Sequence, residues 1–329
     1  MPLPLLSRRR LLGTGVAALG LVPFGLPARA ATQAALQLSW LHSVQFGGSY
    51  IAQSKGYWRD LGLEVRLDAG GPNAPVEPPV VSGQALIGIS AADYTAAAVA
   101  NGAAFRIIGV AMQKNPFVIA SLPANPVNTP SDLVGKKIGM AIANTPVLQA
   151  LCTLNGVDIA AIEVVPTQYD AAPLVTGQVD CLLCWQTDLP VAMTMKGIDN
   201  VTMLMADYGY ALHSQTYIAT DDSLKNRRAD LVAMLKGEVM GWNDYFADPK
   251  AAAALTVGMF PDAGLDLATQ ELQAERQVPL MFSDLTAAKG FGVWTDDTVA
   301  ANIGTLALLG RTVTPDLWDR SILDEVHGA

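Results

Sequence analysis

Cys181 and Cys184 are the first side chains whose spacing suggests chemistry. A Cys-x-x-Cys pair can carry thiol exchange or half of a zinc site. The run Val179–Cys184 reads as a strand, however, and side chains three apart on a strand point to opposite faces. That geometry opposes a bridge. No second Cys pair or His pair completes a zinc set, and the remaining cysteine is Cys152 alone. Three cysteines in 329 residues make no disulfide framework. The zinc-protease pattern HExxH, the phosphate loop GxxxxGK[ST] and the nucleophile elbow GxSxG are all missing from the sequence. Acidic pairs occur, but no motif places them. The reading is a protein with no catalytic residues, no metal and no cofactor.

A second set of side chains suits non-covalent recognition. Trp40, His42, Gln45, Phe46, Tyr94, Gln113, Asn115, Tyr169, Trp185 and Gln186 combine rings with amides. Rings can sandwich a flat molecule, and amides can read its donors and acceptors.

The elements that would carry these residues alternate strand and helix. Strands are expected at Ala35–Trp40, Leu63–Leu67, Ala85–Ile89 and Phe105–Met112, with helices over Gly48–Leu61 and Ala91–Ala100. Ser90 and Asp93 form a candidate capping box for the second helix. Beyond the connection Asn125–Pro130, strands are expected at Lys137–Ala143, Ile162–Pro166, Val179–Cys184, Val201–Met205 and Thr216–Thr220. Asn144-Thr145-Pro146 can start a helix. From Leu224 the pattern is helical, with Leu231, Leu235, Val239, Trp242 and Phe246 on one face. Asp248-Pro249 and Thr314-Pro315 are further helix starts. This alternation implies an α/β fold with parallel sheets. Val81-Ser82-Gly83-Gln84 and Val175-Thr176-Gly177-Gln178 each end a helix before a strand, 94 residues apart. Two equivalent lobes account for the echo.

Open parallel sheets bind ligands outside the carboxyl ends of their strands. That rule selects Trp40–Phe46, Gly70–Asn73, Ser90–Tyr94 and Gln113–Asn115 in the first lobe. In the second it selects Asn144–Thr145, Gln168–Asp170 and Trp185–Asp188.

Charge narrows the partners. The chain has 21 Lys+Arg against 30 Asp+Glu, a net of −9. Arg8, Arg9, Arg10 and Arg29 stand in the first thirty residues, which contain no acid. Residues 31–329 therefore carry 17 basic and 30 acidic side chains, a net of −13. This excludes nucleic acid as the main partner, since phosphate contacts need clustered Lys/Arg. The first thirty residues read as a signal peptide. Ser7-Arg8-Arg9-Arg10-Leu11-Leu12 precedes an apolar stretch, and Ala28-Arg29-Ala30 gives the cleavage pattern. The paired arginines suggest the twin-arginine export route. Pro23, Gly25 and Pro27 interrupt the stretch, which opposes a membrane anchor, since a span needs about 18 apolar residues.

Several stretches, in order and spacing, resemble the periplasmic solute-binding proteins of ABC transporters, in the branch that binds sulfonates and thiamine pyrimidine precursors. They run from Leu38-Ser39-Trp40 through Gln45-Phe46-Gly47-Gly48-Ser49-Tyr50 to Lys55-Gly56-Tyr57-Trp58 and Gly62-Leu63-Glu64-Val65. Gly70-Gly71-Pro72, Ser82-Gly83-Gln84, Thr129-Pro130-Ser131-Asp132-Leu133-Val134-Gly135-Lys136-Lys137-Ile138-Gly139 and Thr176-Gly177-Gln178-Val179-Asp180 follow. The resemblance implies a two-lobed periplasmic-binding-protein fold, each lobe a mostly parallel sheet flanked by helices, with two hinge crossings. Lobe 1 would combine 31–119 with 218–329, and lobe 2 would span 120–217. It further implies a periplasmic monomer that takes up a small molecule and hands it to an ABC permease in the inner membrane. Leu86 stands where such proteins often carry Asp. The cysteine-rich motif of the related pyrimidine synthases is reduced to Cys181-Leu182-Leu183-Cys184-Trp185, which speaks against that enzyme activity.

The expected ligand-binding residues are Trp40, His42, Gln45, Phe46, Ser90, Asp93, Gln113, Asn115, Asn144, Thr145, Tyr169, Trp185 and Gln186. Lys114 is the only cation in the selected loops. An aromatic heterocycle is therefore expected: a thiamine pyrimidine precursor or riboflavin. The alternatives are an alkanesulfonate or nitrate held at helix N-termini near Ser90 and Asn144, and a pyrimidine-synthase-like enzyme.

Overall fold

A computed structural model describes residues 31–328 apart from Asn73. The expected signal peptide, 1–30, lies outside the described residues. The apolar runs become ten strands: β1 (Thr32–Gln37), β2 (Leu63–Asp68), β3 (Ile87–Ala91), β4 (Phe105–Met112), β5 (Phe117–Ser121), β6 (Lys137–Met140), β7 (Glu163–Pro166), β8 (Cys181–Trp185), β9 (Val201–Leu204) and β10 (Ser214–Thr220).

Two five-stranded sheets result, ordered β2-β1-β3-β10-β4 and β7-β6-β8-β5-β9. In the first, β1 pairs parallel with β2 and β3, and β10 runs antiparallel between β3 and β4. In the second, β6 pairs parallel with β7 and β8, and β5 runs antiparallel between β8 and β9. The two orders superpose strand for strand, with β10 and β5 as counterparts. These two are exchanged along the chain: β5 follows β4 yet joins the second sheet, and β10 follows β9 yet returns to the first. The chain thus crosses between sheets at 113–116 and again at 205–213. The divides expected at 119/120 and 217/218 fall inside β5 and β10.

The sequence echo has a backbone cause. Gly83 and Gly177 have φ of +75° and +73°, and both end short helices, Glu77–Val81 and Ala172–Val175. In this left-handed region a side chain is strained, so glycine recurs. The amides of Ala85 and Val179 then donate to Pro79 O and Pro173 O, 3.0 and 3.2 Å away, before β3 and β8 begin.

Most of the buried apolar mass lies around the first sheet. Tyr50, Trp58, Trp242 and Tyr245 are all buried. The helix Arg228–Ala247 buries Leu231, Leu235 and Trp242, while Val239 and Phe246 pack at the margin. Within this core Glu238 Oε2 accepts from Ser49 Oγ (3.0 Å), Tyr217 OH (2.6 Å) and Trp242 Nε1 (3.0 Å). Burial pushes its carboxyl up to about 7.

Several local expectations are corrected. β1 stops at Gln37, so Leu38–Ser43 is loop. The helix expected over Gly48–Leu61 breaks at Gly56 (φ +74°) into Gly47–Ser54 and Tyr57–Asp60. The Ser90–Asp93 capping box does not form. The helix Ala92–Ala100 has Ala91 at its N-cap, and Ser90 Oγ donates to Glu77 Oε1 at 2.5 Å instead. The helix Thr145–Leu154 does carry Pro146 in its first turn, although Asn144 makes no side-chain cap. Asp248 caps its helix through the Ala251 amide at 2.9 Å. Thr314-Pro315 starts only the 3-10 turn Pro315–Leu317. Among the described residues no helix is long and apolar enough to cross a membrane.

Candidate functional site: the cleft between the sheets

The carboxyl ends of β1–β3 and β6–β8 deliver their loops to one cleft. Trp40, Leu41 and Tyr94 follow β1 and β3, while Ile142 and Tyr169 follow β6 and β7. All five are large side chains left exposed, Tyr94 at 66% and Tyr169 at 61%. Solvent-facing rings at both sides of one cleft mark an interaction surface rather than a core. Burial raises the Tyr169 pKa, and the nearby Asp188 carboxylate adds to the rise. The loops after β1 and β2 meet because Gly70 N–H donates to Trp40 O at 2.9 Å. A Cβ on Gly70 would lie 2.8 Å from Trp40 N, so only glycine allows this approach.

The base is aromatic. Phe117, at the start of β5, meets Trp185 and Tyr210 edge-on, with centroids 6.2 and 6.3 Å apart. On the second sheet a small recess is lined by Gly139, Met140, Asn144, Thr167, Tyr169 and Leu189.

Polar groups at the cleft lack partners. Asp93 Oδ1, in the first turn of helix Ala92–Ala100, is buried without a hydrogen bond. Burial raises its pKa, with Arg311 and nearby backbone amides opposing. The Tyr210 hydroxyl is likewise buried and unpaired; burial raises its pKa, and the Asp93 carboxylate adds to the rise. Burial pushes the Asp188 carboxyl, after β8, up to about 6. Gln215 lies in a bulge where β10 shifts register against β3, between Ser214 and Thr216. It is the one non-glycine residue with positive φ among the described residues, at +48°. Both ends of its buried amide are unpaired. Such backbone costs about 1–3 kcal/mol and concentrates at functional sites.

The expected site residues divide into two groups. Trp40, Asn144, Tyr169 and Gln186 lie on loops and turns at the strand ends, Asp93 in the first helical turn after β3 and Trp185 at the end of β8, with the Gln186 backbone N–H donating to Pro116 O at 2.9 Å. Ser90 and Thr145 lie beside them but spend their hydroxyls internally, the latter on Ile142 O at 2.7 Å. The others make contacts within the fold. His42 stacks on Phe260 at 3.8 Å and shares a hydrogen bond with Tyr50 OH at 3.0 Å. Phe46 is fully buried, and the Gln45 carbonyl accepts from Gln277 Nε2 at 3.3 Å. Gln113 Nε2 donates to Val110 O and Val293 O, both at 3.1 Å. Asn115 ties the two crossings together. Its Nδ2 donates to Leu212 O (2.8 Å) and Ser214 Oγ (3.0 Å), and its Oδ1 accepts from Phe117 N (3.0 Å). Lys114 pairs with Asp207 at 2.7 Å across the same crossings.

Sequence reasoning missed Phe117, Tyr210 and Gln215 and left Asp188 unused. The helix start Asp188-Leu189-Pro190 was a usable signal for the last. No local pattern distinguishes Gln215. The cysteines are inert: Cys181 packs in the main core, and Cys184 lies on the other face with Val118 and Ala120. Burial pushes the Cys181 thiol up to about 12 and the Cys184 thiol higher still. Among the described residues no cluster of three metal-ligating side chains occurs.

Two mixed sheets flanked by helices, joined by paired crossings around a cleft, define the periplasmic-binding-protein fold. Residues 43–252 match the NMT1/THI5-like family model, and the chain belongs to that family. The riboflavin-binding protein RibY of Chloroflexus aurantiacus is 24% identical over 275 residues, covering 80% of this chain and 77% of that protein. The alkanesulfonate-binding protein SsuA from Xanthomonas axonopodis pv. citri, bound to MOPS, shares the fold with a TM-score of 0.63. It is 14% identical, over 89% of this chain and all of that one. The desulfurization enzyme DSZB also shares the fold, with a TM-score of 0.59 at 13% identity, over 89% of this chain and 98% of that one.

Proposed function

We propose that the protein is an exported solute-binding component of an ABC importer that captures a flat, nitrogen-bearing aromatic heterocycle between its sheets. Riboflavin is the first candidate and a thiamine pyrimidine precursor the second. The observation that carries this reading is the pairing of exposed rings, Tyr94 and Tyr169, with unpaired polar groups at Asp93, Tyr210 and Gln215 and with the desolvated carboxyl of Asp188. The rings would stack on the two faces of the molecule, each pair worth roughly 0.5–1.5 kcal/mol beyond burial. Asp93 and Asp188 would accept from its N–H groups, and the Gln215 amide would supply one donor and one acceptor. The loaded protein would then dock on its permease as a monomer in the periplasm, with residues 1–30 acting as the export signal. Similarity to RibY favours riboflavin.

The cleft is poorly suited to a sulfonate or nitrate. Lys114 is committed to Asp207, and the Asp188 carboxyl, at about 6, is still mostly ionised at neutral pH and would repel an anion. Enzymatic use is opposed by the buried, high-pKa thiols. Titration calorimetry with riboflavin, 4-amino-5-hydroxymethyl-2-methylpyrimidine and an alkanesulfonate tests the reading. A heterocycle should bind at least tenfold tighter than the sulfonate, and Gln215→Leu should weaken it. Tighter binding of the sulfonate, or turnover of either heterocycle, would overturn it.

A further inference from the structure

The helix Leu267–Met281 comes from the last quarter of the chain yet is bonded to both sides of the cleft. Its carboxyl end is fixed at the first crossing, where Leu280 O accepts the amides of Gln113 and Lys114 at 2.8 and 3.0 Å. Its middle carries a relay of side-chain amides. Val44 N–H donates to Gln270 Oε1 at 2.7 Å. Gln270 Nε2 donates to Gln273 Oε1 at 2.7 Å. Gln273 Nε2 donates to the carbonyl oxygen of Thr187 at 2.9 Å.

The two ends of this relay belong to different sheets. Val44 follows the Trp40–His42 loop of the first, and Thr187 lies between Trp185 and Asp188 of the second. One turn further along, Arg276 Nη2 donates to Thr194 Oγ1 at 3.1 Å, on the second-sheet helix Leu189–Met195. Residues 270 and 273 are three apart, so they share one helix face. Gln270 is buried, a position where an apolar side chain would pack at lower desolvation cost. Both glutamines use donor and acceptor ends, which gives the relay a fixed direction.

We infer that Gln270 and Gln273 are positioning residues, a latch that sets how far apart the two cleft loops stand. The hinge fixes one end of the helix, and the Gln273–Thr187 bond, with the Arg276–Thr194 bond one turn on, is the junction that opening must break. The latch operates whatever the ligand. Only its effect on ligand release rests on the proposed function.

Small-angle scattering of the ligand-free protein tests it directly. Gln273→Leu removes the junction and should increase the radius of gyration. Gln273→Glu keeps the acceptor for Gln270 but sets a carboxylate against the Thr187 carbonyl, so it should widen the cleft further. Both should melt like the wild type, because residue 273 is half-buried and Glu and Leu are good helix formers. Stopped-flow fluorescence should show riboflavin leaving roughly threefold to tenfold faster, the range for one lost hydrogen bond. Arg276→Ala, which cuts the second tie, should widen the cleft less. Scattering curves for Gln273→Glu and Arg276→Ala that superpose on the wild type would overturn the latch. Failure of riboflavin to bind would leave the scattering result standing and would count against the proposed ligand alone.

Discussion

In the first sheet β3 ends at Ala91, and the carboxylate two residues on, Asp93, is buried beside the charge of Arg311 and within reach of backbone amides. In the second, the counterpart strand β8 ends at Trp185, and Asp188 lies three residues on, with burial as the only cause of its shift. The antiparallel strands differ as well. β5 pairs with β8 in continuous register, whereas β10 is bulged at Gln215 against β3 and slips again against β4. Strand order is thus shared, while the finishing of strand ends is not. Each lobe offers a ring and a carboxyl, Tyr94 with Asp93 and Tyr169 with Asp188, and the first adds the strained, amide-bearing bulge at Gln215. A duplicated architecture can present unlike chemistry from its two sides because loop ends are free of the pairing rules that fix strand order.

The largest expected effect concerns the rings. If the two sides contribute equally, Tyr94→Ala and Tyr169→Ala should each weaken riboflavin by about tenfold to a hundredfold, from lost stacking and apolar burial. Equilibrium fluorescence quenching measures both. A loss confined to one variant would break the symmetry and assign stacking to one lobe.

Asp188 offers a test through pH. Its folded pKa of about 6 lies above the ordinary carboxylate value, so folding favours the protonated form. That contribution is fully present below about pH 4 and is lost as pH rises through about 6. Asp188→Asn should therefore be more stable than the wild type by about 1–3 kcal/mol at pH 8 and equal to it near pH 4. Asp93→Asn should gain less, since Arg311 and backbone amides already favour its charge. Denaturant melts across that pH range decide it. Equal gains would erase the distinction between the two carboxylates.

The smallest effect tests the part that is shared. Gly83→Ala and Gly177→Ala place a methyl in open space on left-handed backbone, so only conformational strain is added. Each should cost about 1 kcal/mol, and the two costs should agree. A clear inequality in thermal unfolding would show that the turns are equivalent in shape but not in energy.

The same division explains what the sequence made legible. Gly83 and Gly177 were readable because backbone geometry dictates the residue type, and with them came the two-lobed α/β reading. The position of Trp40, Tyr169 and Trp185 at or just beyond strand ends was readable because the apolar runs mark where the strands stop. Phe46, His42, Gln113 and Asn115 look the same in sequence, but rings and amides in loops also close cores and tie hinges. Tyr210 and Gln215 gain their positions from the second crossing and from a bulge, both set by long-range pairing. β5 was not anticipated because its five residues follow a four-residue crossing and their partners lie sixty or more residues away.

The burial of Cys152, Cys181 and Cys184 has a practical consequence. With every native thiol shielded and the thiols held high, maleimide reagents meet a surface without a competing nucleophile. A single Ile142→Cys substitution at the rim would then accept one environment-sensitive dye per molecule. Capture of the solute could be read as a change in that dye's emission, in a protein that needs no prior removal of its own cysteines.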